Sequence, residues 1–144
     1  MPHRLYSQVA ERADYRCEYC LAPEAISPGE FEVDHVWPRK HRGRDELWNL
    51  ALACRPCNQR KHLATSGIDP QSGLDVPLFN PRRDVWDEHF EFSVQTGEIL
   101  GRTPTGRATV ARLALNRPHA IYARVVWALS GWFPPRRDAS PSSN

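Results

Sequence analysis

Apolar spacing divides the first third of the chain into a short helix and two strands. Leu5, Val9 and Ala13 recur every four residues among polar neighbours, which predicts an amphipathic helix. Apolar and polar residues alternate over residues 31–36, as in a strand, before Pro38. The largely apolar run over residues 47–53 predicts a second strand.

Helix-start and turn signals then organise the middle of the chain. Pro56 can occupy the first turn of a helix without losing a needed donor, and Gly67 would end that helix. Residues 68–83 are rich in Pro, Gly, Asp and Ser without periodicity, which predicts a long surface loop.

The C-terminal part reads as a hairpin followed by two helices. Strand-like runs over residues 90–94 and 98–102 flank Thr96-Gly97, a plausible turn. Residues 105–115 and 118–131 have helical patterns, and the composition after Pro134 is that of a frayed tail. We expect a second small core here rather than a surface on which bases stack. Its members are Trp86, Phe90, Phe92, Ile99, Leu100, Val110, Leu113, Ile121, Val125, Trp127 and Leu129.

Composition is that of one ordinary globular domain. The chain has 144 residues, of which 40% are hydrophobic and 25% charged, and it offers no apolar run long enough for a membrane span. The first 16 residues lack the apolar stretch of a secretory signal, so we expect a cytoplasmic protein. The net charge is only +2, yet 17 of the 19 cations are Arg. That bias suits phosphate binding but equally fits a compositional bias of the genome.

The four cysteines form two C-x2-C pairs, Cys17/Cys20 and Cys54/Cys57. Two such pairs can complete the tetrahedral thiolate shell that structural zinc prefers, leaving no vacant position for chemistry. The alternatives are disulfides or a redox pair, which a reducing compartment disfavours. We therefore predict a structural Zn²⁺ site.

Polar residues near the second pair suggest a second metal centre. Asp34 and His35 are neighbours on a strand and so point to opposite faces, while Asn58 and His62 are four apart on the predicted helix. Asp34, Asn58 and His62 would suit a divalent cation with open positions. The imidazole of His35 suits the role of a general base.

At this point the sequence resembles the HNH nuclease family, whose ββα-metal motif also occurs in colicin nucleases, homing endonucleases and RNA-guided nucleases. The resemblance covers residues 17–62 and rests on the two cysteine pairs, DHVWP at 34–38, Asn49-Leu50 and CRPCNQRK at 54–61. It implies an α+β fold in which a ββα-metal motif with a four-Cys zinc knuckle pair precedes the C-terminal hairpin and two helices. Residues 1–67 would form the nuclease core, 68–134 an extension packed on it, and 135–144 a disordered tail.

The resemblance also implies roles. His35 would activate the attacking water, Asp34 and Asn58 would bind the catalytic ion with His62 as a colicin-like third ligand, and Asn49 would brace the loop that orients His35. The ion would be Mg²⁺ or Mn²⁺, with Ni²⁺ or Zn²⁺ as alternatives. The products would be 5′-phosphate and 3′-hydroxyl ends.

The loop and helix of this segment are basic. Residues 39–61 include seven cations but only two acids, Asp45 and Glu46. We therefore expect phosphate binding here, with double-stranded DNA as the partner. The cations are Arg39, Lys40, Arg42, Arg44, Arg55, Arg60 and Lys61. The leading hypothesis is a metal-dependent DNA endonuclease; the alternatives are a zinc-stabilised nucleic-acid-binding module without cleavage and a zinc ribbon for a protein partner. RNA as substrate and the oligomeric state stay open.

Overall fold

The computed structural model describes residues 2–135 as a mixed α/β chain with three antiparallel two-stranded sheets. The coarse class is as predicted. The helices are α1 (Tyr6–Arg12), α2 (Arg55–Lys61), α3 (Trp86–His89), α4 (Pro104–Arg112) and α5 (Pro118–Leu129). The strands are β1 (Glu32–His35), β2 (Leu50–Ala53), β3 (Ser66–Ile68), β4 (Asp75–Pro77), β5 (Phe90–Phe92) and β6 (Ile99–Gly101).

The first sheet pairs β1 with β2 and leads directly into α2. Glu32 lies opposite Ala53 and His35 opposite Leu50, and every residue of β2 is buried. The second strand begins at Leu50 rather than at Leu47, because a 3₁₀ turn occupies residues 47–49. The apolar run therefore had two environments: a buried strand and a turn whose first two side chains are exposed.

The second helix is shorter than predicted. Pro56 lies in the first turn of α2 as expected, but the helix ends at Lys61 instead of reaching Gly67. The next residue, His62, has φ of 50°, outside the right-handed helical region. Asn58 and His62 therefore do not share one helix.

The prediction of a long loop over residues 68–83 is also wrong in part. β3 and β4 form a short hairpin there, followed by the buried residues Leu78 and Phe79. The Asp69 carboxylate is buried in the hairpin turn and accepts two hydrogen bonds from Arg107 of α4, at 2.8 and 3.0 Å. Strands of three residues carry too little alternation to be detected by periodicity.

The predicted C-terminal hairpin is confirmed, with β5 and β6 paired and Gly97 at the turn with φ of +81°. Only part of the proposed second core is buried. Trp86, Phe90, Ile99 and Leu113 belong to the hydrophobic core, with Phe92, Val110 and Trp127 packed against it. Leu100, Val125 and Leu129 are exposed.

One cation organises this C-terminal region. Arg124 of α5 is 2% exposed, and its guanidinium donates to the carbonyl oxygens of Gly97 and Leu115 and to Oδ1 of Asn116, all within 2.7–2.9 Å. The Asn116 side chain in turn bonds both backbone groups of Ile99. Arg124 thus ties α5 to the hairpin turn and to the connection before α5.

Among residues 2–135, no helix is both long enough and apolar enough to cross a membrane. The predicted tail over 135–144, except for residue 135, lies outside the described residues.

Arg124→Ala should lower the free energy of unfolding by about 2–4 kcal/mol, because buried acceptors lose their donor. Urea denaturation followed by circular dichroism measures the change. Arg112→Ala, at an exposed position of α4, is the matched control and should stay within about 0.5 kcal/mol of wild type. Equal stability of the two variants would contradict a structural role for Arg124.

Candidate functional site

Four sulfur atoms converge where two parts of the chain meet. Cys17 and Cys20 lie in the turn after α1, Cys54 precedes α2 as its cap residue, and Cys57 lies in the first turns of that helix. All four side chains are buried, and their sulfur atoms lie within 4.8 Å of one another. All four are free thiols, so the disulfide alternative is not what the structure contains.

The spacing of these sulfurs fits a tetrahedral ion. With Zn–S bonds of about 2.3 Å, two sulfurs of a tetrahedron are about 3.8 Å apart. Sγ of Cys20 and Sγ of Cys54 are 3.7 Å apart. Burial raises the pKa of the Cys17 thiol well above its usual range, while a hydrogen bond from Cys17 helps to lower that of Cys20. A cation at the centre is what would stabilise four thiolates here.

Asp34 lies on β1 and contacts Lys61 of α2. It is 4% exposed. Its Oδ2 accepts a 2.6 Å hydrogen bond from the Tyr19 hydroxyl and lies 3.3 Å from Nζ of Lys61. Burial, reinforced by the Asp34 charge, raises the pKa of Tyr19, which keeps the hydroxyl protonated as a donor. The Lys61 ammonium also donates to the carbonyl of Val36, at 3.0 Å.

Asn58 of α2 contacts β1 at Glu32, two residues before Asp34. Its Nδ2 donates to Oε1 of Glu32 at 2.7 Å, and Arg55 lies 3.3 Å from the other oxygen of that carboxylate. Glu32 and Asp34 are two residues apart on β1 and so share one face. Two carboxylates and an amide therefore lie between β1 and α2.

This oxygen-rich donor set suits Mg²⁺ or Mn²⁺ in chemical type. Asp34 contacts Tyr19 and Lys61, whereas Asn58 contacts Glu32, an oxygen donor that sequence reasoning missed. A cation beside Asp34 would first have to displace the Lys61 ammonium, because the two positive charges would repel each other. His62, exposed beyond the end of α2, does not join this set.

His35 projects from the opposite face of β1. Its Nε2 is 2.9 Å from Oδ1 of Asp45, and Nε2 of His3 is 2.6 Å from the same oxygen. Nδ1 of His3 accepts a hydrogen bond from the amide of Leu5, so the ring proton of His3 is on Nε2. Within residues 2–135, these three residues and the four cysteines are the two clusters in which at least three His, Cys, Asp or Glu side chains place ligand atoms within 4.8 Å of one another.

Asp45 fixes the tautomer of His35. Hydrogen bonds from His3 and His35 lower the pKa of Asp45 to about 2, so it is a carboxylate at neutral pH and can only accept. Nε2 of His35 is then its protonated nitrogen, and in the neutral ring Nδ1 carries the free lone pair. That is the arrangement a general base requires.

Asn49 is 4% exposed and holds the loop that follows β1. Its Oδ1 accepts from the amide of Trp37, and its Nδ2 donates to the carbonyls of Trp37 and Arg44, each at 2.9 Å. These three bonds fix both ends of the loop between His35 and Asp45.

Six of the seven predicted phosphate-binding cations are exposed, and one is not. Lys61 is 2% exposed and makes its contacts inside the protein. The exposed ones are Arg39, Lys40, Arg42, Arg44, Arg55 and Arg60.

One segment of the chain combines four features: two cysteine pairs whose sulfurs converge, a strand that ends in Asp34-His35, Asn49 in the following loop, and a helix that contains Asn58. Residues 17–63 match the HNH endonuclease family model. This match confirms the resemblance and covers about a third of the chain. No curated protein and no solved structure matches the chain.

Sequence reasoning about the HNH segment missed His3, Glu32 and Asp45. Glu32 had a usable signal, because it lies two residues before Asp34 on a strand and therefore on the same face. Asp45 was counted only as an acid in the basic loop. Its contact with His35 depends on the loop conformation, and nothing in the local pattern indicates that His3 returns to the same carboxylate.

The sulfur cluster predicts one tightly bound Zn²⁺ per chain, and Cys57→Ser should lose it together with the fold. Structural zinc contributes about 10 kcal/mol or more of binding free energy that doubles as folding free energy. Elemental analysis gives the stoichiometry and circular dichroism the loss of structure. Ser130→Ala, at an exposed position after α5, is the control and should keep the metal. A folded, metal-free Cys57→Ser variant would contradict the prediction.

Proposed function

We propose that this protein is a metal-dependent endonuclease that hydrolyses phosphodiester bonds in DNA, with His35 as the general base. The observation that carries the proposal is the pairing of His35 with Asp45, which leaves Nδ1 free, inside a segment that matches the HNH family. The proposal includes the ββα-metal arrangement for β1, β2 and α2, and a zinc ion in the sulfur shell. It also includes the division into residues 1–67 and 68–134 and a reducing, cytoplasmic setting.

In the proposed reaction, Nδ1 of His35 takes a proton from water as the water oxygen attacks phosphorus. The bond from phosphorus to the 3′-oxygen breaks, and that oxygen takes up a proton, which leaves a 5′-phosphate and a 3′-hydroxyl. Asp45 holds the His35 ring and stabilises the imidazolium that forms. Asn49 keeps the loop between them in place, and the six exposed cations bind flanking phosphates.

Asp34 and Asn58 are the proposed ligands of the catalytic ion, together with Glu32. A bound Mg²⁺ or Mn²⁺, or a Ni²⁺ or Zn²⁺ ion in their place, would supply positive charge that offsets that of a phosphate. Because Asp34 and His35 are the last two residues of β1 and point to opposite faces, a phosphate would have to lie at the end of this strand to be within reach of both. His62 is left out, because it is exposed beyond α2. Lys61 is assigned to Asp34 rather than to DNA, because it is buried against that carboxylate.

The second candidate is a zinc-stabilised nucleic-acid-binding module without cleavage. One specific observation favours it: the Asp34 carboxylate already has the Lys61 ammonium and the Tyr19 hydroxyl as partners. Such a module would need the sulfur shell and the exposed arginines but no free lone pair on His35. Cleavage assays separate the two candidates.

His35→Ala should lower the cleavage rate by about 10²- to 10⁴-fold, the usual contribution of a general base, while DNA binding persists. A plasmid-nicking assay with Mg²⁺ or Mn²⁺ gives the rate. His119→Ala, at an exposed histidine of α5, is the control and should cleave like wild type. If wild type and His35→Ala are equally inactive with each of the metals, the binding module replaces the nuclease.

Asp45→Ala tests whether Asp45 positions His35, because loss of the carboxylate should change the tautomer of the His35 ring. Ring nitrogen resonances in ¹⁵N NMR should report Nε2–H in wild type and a mixture in Asp45→Ala, with cleavage slowed by about 10- to 100-fold. Asp45→Asn keeps an acceptor oxygen and should restore most of the wild-type tautomer. An unchanged His35 spectrum in Asp45→Ala would remove Asp45 from the mechanism.

A further inference from the structure

A cleft of about 430 Å³ opens beside the loop that follows His35. We call it the tryptophan cleft; it is lined by Trp37, Arg42, Arg44 and Trp48 from this loop and by Asn80 and Arg83 from the segment after β4. Its volume falls within the range of small-ligand sites. Its two tryptophans and Arg83 have no role in the mechanism described above, whereas Arg42 and Arg44 are among the cations proposed to bind phosphates.

Both indoles of the cleft are presented to solvent. Trp48 is 64% exposed and Trp37 is 49% exposed, in contrast to Trp86, which is buried in the core. The Trp37 ring is held in place, because its indole N–H donates to the carbonyl of His41 at 2.9 Å and its backbone is bonded by Asn49. Leaving so much aromatic surface in water is unfavourable unless something covers it.

The charge of the cleft indicates what covers it. All charged residues of its lining are arginines: Arg42, Arg44, Arg82 and Arg83. Arg82 also bonds Glu18, whereas the other three are exposed. Exposed indoles beside guanidinium groups, with no acid in the lining, fit a ligand that has both flat aromatic faces and negative charge. Single-stranded nucleic acid has both.

The cleft lies next to the proposed general base. Val36, which follows His35, is part of its lining, and Trp37 is only two residues from His35, so their Cα atoms are at most about 7 Å apart. Asn49, which fixes the loop between His35 and Asp45, also lines the cleft. A nucleotide seated there would be close to the phosphate attacked by the water that His35 deprotonates.

We propose that the tryptophan cleft binds an unpaired base next to the scissile phosphate, with the base stacked on Trp48 and Trp37 and its phosphates on the arginines. The bases of an intact duplex are stacked on one another and cannot offer their faces to the indoles. The inference rests on the proposed function and refines it: the preferred substrate is single-stranded DNA, or duplex DNA with unpaired nucleotides, rather than a regular double helix.

The test is a binding experiment without added catalytic metal, so that it does not depend on cleavage. Fluorescence anisotropy compares a labelled 12-nucleotide single strand with its duplex for wild type and Trp48→Ala. Stacking of one base on an aromatic ring typically changes affinity by roughly tenfold or more, so Trp48→Ala should weaken single-strand binding by about that factor. Duplex binding, which depends on the cations, should change little.

Tyr122→Ala removes another exposed aromatic ring, 72% exposed on α5 and outside the cleft, and should bind both DNAs like wild type. Quenching of tryptophan fluorescence by the single strand, reduced in Trp48→Ala, is the second readout. Equal single-strand affinity of wild type and Trp48→Ala, or a wild-type preference for the duplex, overturns the inference. Failure of the nuclease proposal looks different: no cleavage of any DNA, whatever the binding result.

Discussion

The arrangement of the four sulfur atoms is the constraint on which the HNH segment depends. It joins the turn after α1 to the first turn of α2, two places 34 residues apart at Cys20 and Cys54. β2, which runs into Cys54, is completely buried, and the amide of its Leu52 donates to the Glu18 carboxylate inside the first thiol pair. With this anchor in place, α2 has one position over β1, and Asn58 and Lys61 face the carboxylates of that strand.

In the proposed nuclease, the Asp34 carboxylate would serve both the stability of the fold and the binding of the metal ion. An ammonium and a metal ion would bind it for the same electrostatic reason, and only one of them can be adjacent at a time. Lys61 compensates the buried charge when no divalent cation is present, since an unpaired buried carboxylate is costly. The pair therefore neutralises the buried carboxylate on one face of β1, while Asp45 orients His35 on the other face.

The residue pattern predicted those elements of this protein that depend on interactions between residues close together in the sequence. The strand ending at DH, the proline-started α2 and the hairpin with glycine at its turn are all where periodicity and turn chemistry indicated. The errors have equally local causes. The run from Leu47 looks like one strand because apolar composition does not distinguish a buried strand from exposed turn residues, and the three-residue strands β3 and β4 are too short to show a period. The contacts of the candidate site could not be predicted in this way. The contact between His3, His35 and Asp45 depends on how a loop and the N-terminal segment come together in three dimensions.

Tyr19 lies between the two cysteines of the first pair, and its hydroxyl reaches Asp34 while its carbonyl accepts the indole N–H of Trp86. One residue thus connects the sulfur shell, the carboxylate and the C-terminal core. The evolutionary consequence is that substitutions at position 19 affect Asp34, because replacing the tyrosine by phenylalanine leaves Asp34 with one hydrogen-bond donor fewer. Related chains should therefore vary at positions 19, 34 and 61 as a correlated group.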